Sequence, residues 1–338
     1  MKRNKMPKHL TYNRWLGVNS TLIGLLIFAI FIALSTGSES ISILDAISGK
    51  ERAHAILFSA RIPRVLLAAL VGMALATSGG AFQTILKNPL ADPFILGVSG
   101  GAALGSVLSV GLGLPFFWIS TLAFAGATVS MILIFWIAKG RGRFRATELL
   151  LTGVIFNAFC FALILFINAM VTMEEAYQIL FLLIGNLEET GLEIVGIVAL
   201  FVLTGFIALT FLAKRMNLLL LDDDEAKSLG VNTDRLRAIV FIFASLMVGA
   251  AVAVSGLIGF VGLFIPHIIR LLFGADNRLL IPASGILGAA FLVLADTMAR
   301  TVLMNTQYAT QLPVGVITAL IGAPFFMFLL KRRNVVSS

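Results

Sequence analysis

The sequence predicts an all-α polytopic membrane protein of about ten transmembrane helices, and three observations carry that prediction. Hydrophobic residues make up 59% of the 338 and charged residues only 12%, whereas an aqueous surface needs more charge than that. Apolar runs near the ~20 residues that cross a ~30 Å hydrocarbon core recur along the chain. A segment of the second run also returns in the seventh, which predicts an inverted repeat of spans 2–5 and 7–10. The chain reads as one membrane domain over 1–338, with a polar tail at 1–20 and a polar loop at 213–237.

The first element follows a basic lead (Lys2, Arg3, Lys5, Lys8, Arg14) and an apolar stretch from Leu22 to Leu34. A cleaved signal peptide is the alternative there, but the long lead and the many later spans favour a retained helix. The expected spans are Thr21–Leu34, Val65–Leu86, Phe94–Leu112, Phe116–Ala138, Thr147–Val171, Leu192–Ala213, Ala238–Leu257, Gly259–Phe273, Leu280–Met298 and Val314–Leu330. The run Ala238–Phe273 is too long for one crossing and short for two. Gly256, Gly259, Gly262 and Pro266 predict a tight bend and one short span. With the N-terminus placed inside, alternation puts twenty of the 25 basic residues on the inner side. Only Lys50, Arg52, Arg61, Arg64 and Arg300 fall outside, so both ends are expected inside.

The repeat pairs Val71–Gly79 with Val248–Gly256, which share Val, Gly, two Ala, Ser and Gly. A proline stands ten residues after the last glycine of each copy, Pro89 and Pro266. An offset of five spans makes the copies antiparallel, a common transporter architecture; chance likeness of Gly/Ala-rich helices is the bland alternative. Small residues spaced by four (Gly97, Gly101, Gly105; Gly72, Ala76, Gly80; Ser245, Gly249, Ala253) predict close helix packing.

Several functions are excluded or disfavoured. The net charge of +8 resides in short loops between apolar runs, which is membrane patterning and not a nucleic-acid patch. The single cysteine, Cys160, rules out an intrachain disulfide. No G-x-x-x-x-G-K-[ST] loop is present, so the chain does not bind ATP through one of its own. His9, His54 and His267 are isolated, against a metalloenzyme. Asp296 and Glu148 lie near span ends, and buried mid-span carboxylates of the kind ion-driven carriers use are missing.

Three places hold candidate function. Ten charged residues fall between Lys214 and Arg237, centred on Asp222-Asp223-Asp224-Glu225-Ala226-Lys227-Ser228-Leu229-Gly230. Carboxylates there can cap and charge a short helix that ends at glycine, a polar handle for a soluble partner. Arg61, Arg64 and Arg300 break the outer side's poverty in basic residues. Fixed guanidinium groups suit carboxylates of a docking partner, with interfacial anchoring by snorkelling the competing account. Asn88-Pro-Leu90-Ala-Asp-Pro93 is a rigid inner link, read as a gate or as a well-made turn.

These segments together resemble the vitamin B12/iron-siderophore permease family of ABC importers, of the BtuC/FecCD type. The likeness rests on RIPR at 61–64, NPLADP at 88–93, LGVSGGAALG at 96–105, the acidic EAKSLGV stretch at 222–231, GFVGLFIPHIIRLL at 259–272, LADTMAR at 294–300 and LPVGVITALIGAPFF at 312–326. The resemblance implies a type II importer permease of ten helices in the bacterial inner membrane, paired with a second copy or a paralogue. It implies two ATP-binding cassette subunits below, carrying ATP and Mg, and a periplasmic or lipid-anchored binding protein above. No cofactor is expected on this chain. Arg61, Arg64 and Arg300 match docking arginines, Asn88 and Leu90 a cytoplasmic gate, and residues 222–231 the helices seated in the ATPase. The fifth span would line the pathway, with Thr152 and Asn157 its polar candidates. Gln311 departs from an acidic position, Leu257 from a frequent proline, and 172–190 lacks a tryptophan often seen there, although Thr172-Met-Glu-Glu175 is a sound capping box. The expected function is alternating-access import of an iron-siderophore, with cobalamin and haem behind it. An ion-coupled secondary carrier is the alternative.

Overall fold

The computed structural model describes residues 10–37, 45–46, 48–115, 117–139, 146–187, 191–304 and 310–337. The tail at 1–9, the basic loop at 140–145 and residues 188–190 lie outside them. Among the described residues every regular element is helical. In order they are α1 (Tyr12–Ser35), a short α2 (Glu51–Ala55) that runs through a π-turn at Ile56–Arg61 into α3 (Ile62–Ile85), α4 (Val98–Gly111) and α5 (Phe117–Lys139). Then come α6 (Ala146–Asn168), α7 (Met173–Ile184), α8 (Leu192–Met216), a 3₁₀ turn at Asn217–Leu220, α9 (Asp223–Ser228) and α10 (Thr233–Ser255). Last are α11 (Val261–Phe273), α12 (Asn277–Thr301) and α13 (Val314–Ser337).

Seven helical runs are long and apolar enough to cross a bilayer, and α4, α11 and α13 are shorter apolar helices, which together match the ten expected spans. Local chemistry sets the ends. Thr11 accepts the Arg14 N–H at 3.4 Å and starts α1 ahead of its apolar run. Thr172 and Glu175 form the expected reciprocal capping box at α7. The predicted bend falls where α10 stops at Ser255: Gly256 has φ 63° and Phe260 φ 70°, so the chain reverses before the 13-residue α11.

α3 and α12 are the most enclosed helices, 78% buried over their apolar windows, with α10 at 67%; α6 at 17% and α1 at 22% form the periphery. α3 is the hub. Ser78 Oγ donates to the Ala244 carbonyl of α10, Gln83 Nε2 to Leu263 of α11, and Thr84 Oγ1 to Asn277 Oδ1 at the start of α12. In a membrane, where apolar packing alone selects no partner, such interhelical bonds fix which helices meet.

The repeat is visible as interlocked packing. α3, first helix of one half, packs on α11 and α12 of the other; α10, its counterpart, packs on α4 and α5. The matched glycines do the same job at different tightness. A Cβ on Gly72 would stand 2.2 Å from the Gly288 carbonyl oxygen of α12, and one on Gly249 2.8 Å from Ala127 Cβ of α5. The proline pairing, however, is not structural. Pro89 lies in the turn after α3, whereas Pro266 is inside α11. The copies diverge after Ser78 and Ser255, because Gly79 stays helical under Gly262 while Gly256 ends its helix.

Candidate functional site

The polar loop folds as an anchored handle. Leaving α8, Asn217 donates to Asp276 Oδ1 at 2.8 Å and accepts the Asn277 N–H at 2.8 Å, which ties the loop's base to the start of α12. Asp222 occupies the N-cap position of α9 with extended backbone but makes no side-chain cap bond, unlike the capping role its sequence suggested. Asp223 turns inward instead. It accepts two bonds from the buried guanidinium of Arg237, at 3.0 and 2.5 Å, and that pairing holds its carboxyl below the usual range. Ala226 is buried, while Asp222, Asp224, Glu225, Lys227, Leu229 and Gly230 are exposed. Gly230 at φ 81° ends the helix. The eight candidate residues therefore divide: two hold the handle, and six present carboxylates, an ammonium and a bare leucine outward.

On the same face, residues 87–93 form a closed turn. Leu90 N–H donates to Asn88 Oδ1 at 3.0 Å, and Ala91 N–H to the Asn88 carbonyl at 3.1 Å. Leu90 itself is 39% exposed. Asp92 is buried and accepts the Phe94 N–H at 2.9 Å; burial pushes its carboxyl up to about 6 despite that bond. Lys87 reaches from this turn to the handle, donating to the Leu221 carbonyl at 2.6 Å. Nothing in the sequence pattern singled it out, because the contact joins residues 134 apart.

On α6, Thr152 is half-buried. Asn157 Oδ1 points into the packing against α4, where only a glycine fits: a Cβ on Gly100 would stand 2.2 Å from it. That oxygen has no hydrogen-bond partner among the described residues.

The opposite face gathers the three arginines, but not as open guanidinium groups. Arg61, Arg64 and Arg300 are 5%, 7% and 6% exposed. Arg64 grips Asp296 through Nη2 at 3.0 Å and Nε at 3.2 Å, and its Nη1 donates to Gln311 Oε1 at 3.1 Å. Arg300 Nε lies 3.0 Å from the other Asp296 oxygen, one turn along α12. Arg61 donates to the Leu34 carbonyl at 2.7 Å under the chain that leaves α1. Asp296, set aside in the sequence as a span-end carboxylate, is the shared counter-ion of Arg64 and Arg300. Snorkelling into the interface does not describe these residues either, since each is enclosed by protein. Two guanidinium groups share the Asp296 carboxylate, and Arg300 Nη2 has no hydrogen-bond partner among the described residues.

The sequence profile of the FecCD transport family matches residues 25–332. The chain is 43% identical over 285 residues to the ABC transporter permease protein YvrB of Bacillus subtilis, covering 82% of this chain and 79% of that one. It is 40% identical over 286 residues to the cobalamin import system permease BtuC of Halobacterium salinarum, covering 84% and 76%. Among solved structures, a metal-chelate type ABC transporter in an inward-facing conformation superposes with a TM-score of 0.83 at 33% identity, covering 94% of this chain and 99% of that one.

Proposed function

The chain belongs to the FecCD transport family, and from that premise we propose that it imports a ferric siderophore or a related metal chelate by alternating access. It is the membrane-spanning permease of an ABC importer, and it carries no catalytic chemistry of its own. Two ATP-binding cassette subunits drive it, a second permease subunit completes the pathway, and a binding protein delivers cargo from outside. Both termini then lie in the cytoplasm, as does the handle at 213–237, and the protein sits in the bacterial inner membrane.

The observation that carries this reading is the divided handle. Asp223 and Asn217 tie α9 to α10 and α12, so force applied to the exposed side is delivered to enclosed spans and not absorbed by a loose loop. A chain with no phosphate loop can receive work from an ATPase through this folded polar projection. We read the turn at Asn88 and Leu90 as the cytoplasmic gate and α6 as lining the pathway with Thr152 and Asn157; that α6 is mostly uncovered in the single chain supports the latter. On the other face, the gathering of Arg61, Arg64 and Arg300, with Arg300 Nη2 unbonded among the described residues, supports docking of acidic groups there. ATP and Mg are held by the partner subunits.

Charge reversal at Asp222, Asp224 and Glu225 in the complete transporter tests the coupling role. ATPase co-purification and chelate uptake are expected to fall at least tenfold while the binding protein still captures cargo; normal uptake would end the reading. Uptake of ferric siderophores, cobalamin and haem compared in one strain identifies the cargo class.

A further inference from the structure

One side chain joins the 88–90 turn to the handle, and its backbone is under strain. Lys87 has φ 49°, in the left-handed region that a β-carbon disfavours. Its ammonium donates to the Leu221 carbonyl at 2.6 Å and lies 4.0 Å from the Asp223 carboxylate. The contact is half-exposed on both sides, and such pairs add little stability. The left-handed φ belongs to a Schellman cap that Lys87 and Asn88 close on Thr84 and Gln83, a position where glycine is the usual residue. What the contact does achieve is geometric. It reaches from the second residue after α3 to Leu221, just before the Asp222 cap, and to Asp223, the first residue of α9.

The turn that receives the contact is stiff. Lys87 N–H donates to the Thr84 carbonyl at 3.2 Å and Asn88 N–H to Gln83 at 3.1 Å, so both are locked to the last turn of α3. Asn88 in turn closes on Leu90 and Ala91, and Gln83 is bonded to Leu263 of α11. A displacement at the ammonium therefore arrives at Leu90 through short hydrogen-bonded steps. Arg237, by contrast, joins Asp223 to the start of α10, a whole-span connection.

We propose that Lys87 is a positioning residue that transmits movement of the Leu221–Asp223 segment to the turn at Asn88–Leu90. The inference rests on the coupling and gate roles given above, which supply the two ends it connects. Its ammonium is held by one carbonyl and one carboxylate of that segment, so displacement of the segment pulls on the residue that opens the turn.

The test uses the complete transporter in proteoliposomes, with a bimane fluorophore on L90C in a C160S background, since Cys160 is the single native cysteine. The probe is the fluorescence change on adding ATP with vanadate, divided by the ATPase rate. K87G removes the strut and relaxes φ, so its thermal midpoint should equal or exceed the parent's while the normalised change falls at least fivefold. K87A should show the same loss, and K87R should keep at least half the signal. A K87G change equal to the parent's overturns the inference while the gate reading stands. Equal loss in K87G and K87R with lowered midpoints also overturns it, as that is a structural role. If the parent with its ATPase assembled shows no change at Leu90, the gate reading fails and the inference with it.

Discussion

Asp296 decides what the arginine face is. Its two oxygens serve Arg64 and Arg300 in an enclosed site, so removing it leaves buried cations without their partner. Breaking a buried pair from one side costs about 3–5 kcal/mol. Asp296→Ala is expected to lower stability by an amount of that order, read as a lower thermal midpoint in detergent, with Asp296→Asn milder because it still accepts hydrogen bonds; an unchanged midpoint in both would remove the counter-ion role. Asp92 predicts a pH effect of definite sign. Its folded carboxyl titrates near 6 against a reference of 3.8, so between those values the folded chain holds a proton that the unfolded chain releases. Stability then falls as pH rises through that window and stays lower above it. Asp92→Asn should flatten the dependence and raise stability at pH 8 by no more than about 3 kcal/mol, read from unfolding of both chains from pH 4 to 8.

At the scale of elements, the two halves share packing partners but not packing tightness. A Cβ on Gly72 would stand 2.2 Å from the Gly288 carbonyl oxygen, whereas one on Gly249 would stand 2.8 Å from the Ala127 methyl and 3.7 Å from the Phe124 ring. Neither backbone nor an alanine methyl can rotate aside, so the closer approach costs more. Gly72→Ala is therefore expected to destabilise by roughly 1–3 kcal/mol and Gly249→Ala by clearly less, measured by thermal unfolding of the purified chain. Equal effects would mean that the repeat is symmetric in energy as well as in arrangement. The same asymmetry explains why the prolines did not correspond: one copy continues as helix for two turns, and the other turns at Gly256.

For the whole molecule, the two faces do different electrostatic work. The handle offers exposed carboxylates on a rigid base, and the arginine face gathers three enclosed guanidinium groups. Clustered guanidinium groups attract an acidic partner through a field that salt screens over about 10 Å at 0.1 M. Arg61→Gln and Arg300→Gln together should weaken binding-protein docking at least tenfold at low salt, with the difference vanishing near 1 M. Glutamine is the better replacement, because a glutamate there would confront Asp296. Docking that is unaffected at every ionic strength would confine these arginines to holding the fold.

Composition and periodicity determined the ten apolar helices, the bend at Gly256 and the repeat of the second span in the seventh, because each depends on residues close in the chain or on the length that a bilayer demands. The handle was legible for the same reason: Asp222–Gly230 is one short stretch whose polarity contradicts everything around it. Only the tertiary structure decided that Asp222 leaves its cap bond unmade while Asp223 turns to Arg237, since that choice depends on where α10 stands. It alone showed that Arg64 and Arg300 share Asp296, and that Lys87 reaches Leu221 across 134 residues. Pairings of buried charge are set by which helices meet, and a linear pattern of apolar and polar residues carries the face of a helix but not the identity of its neighbour.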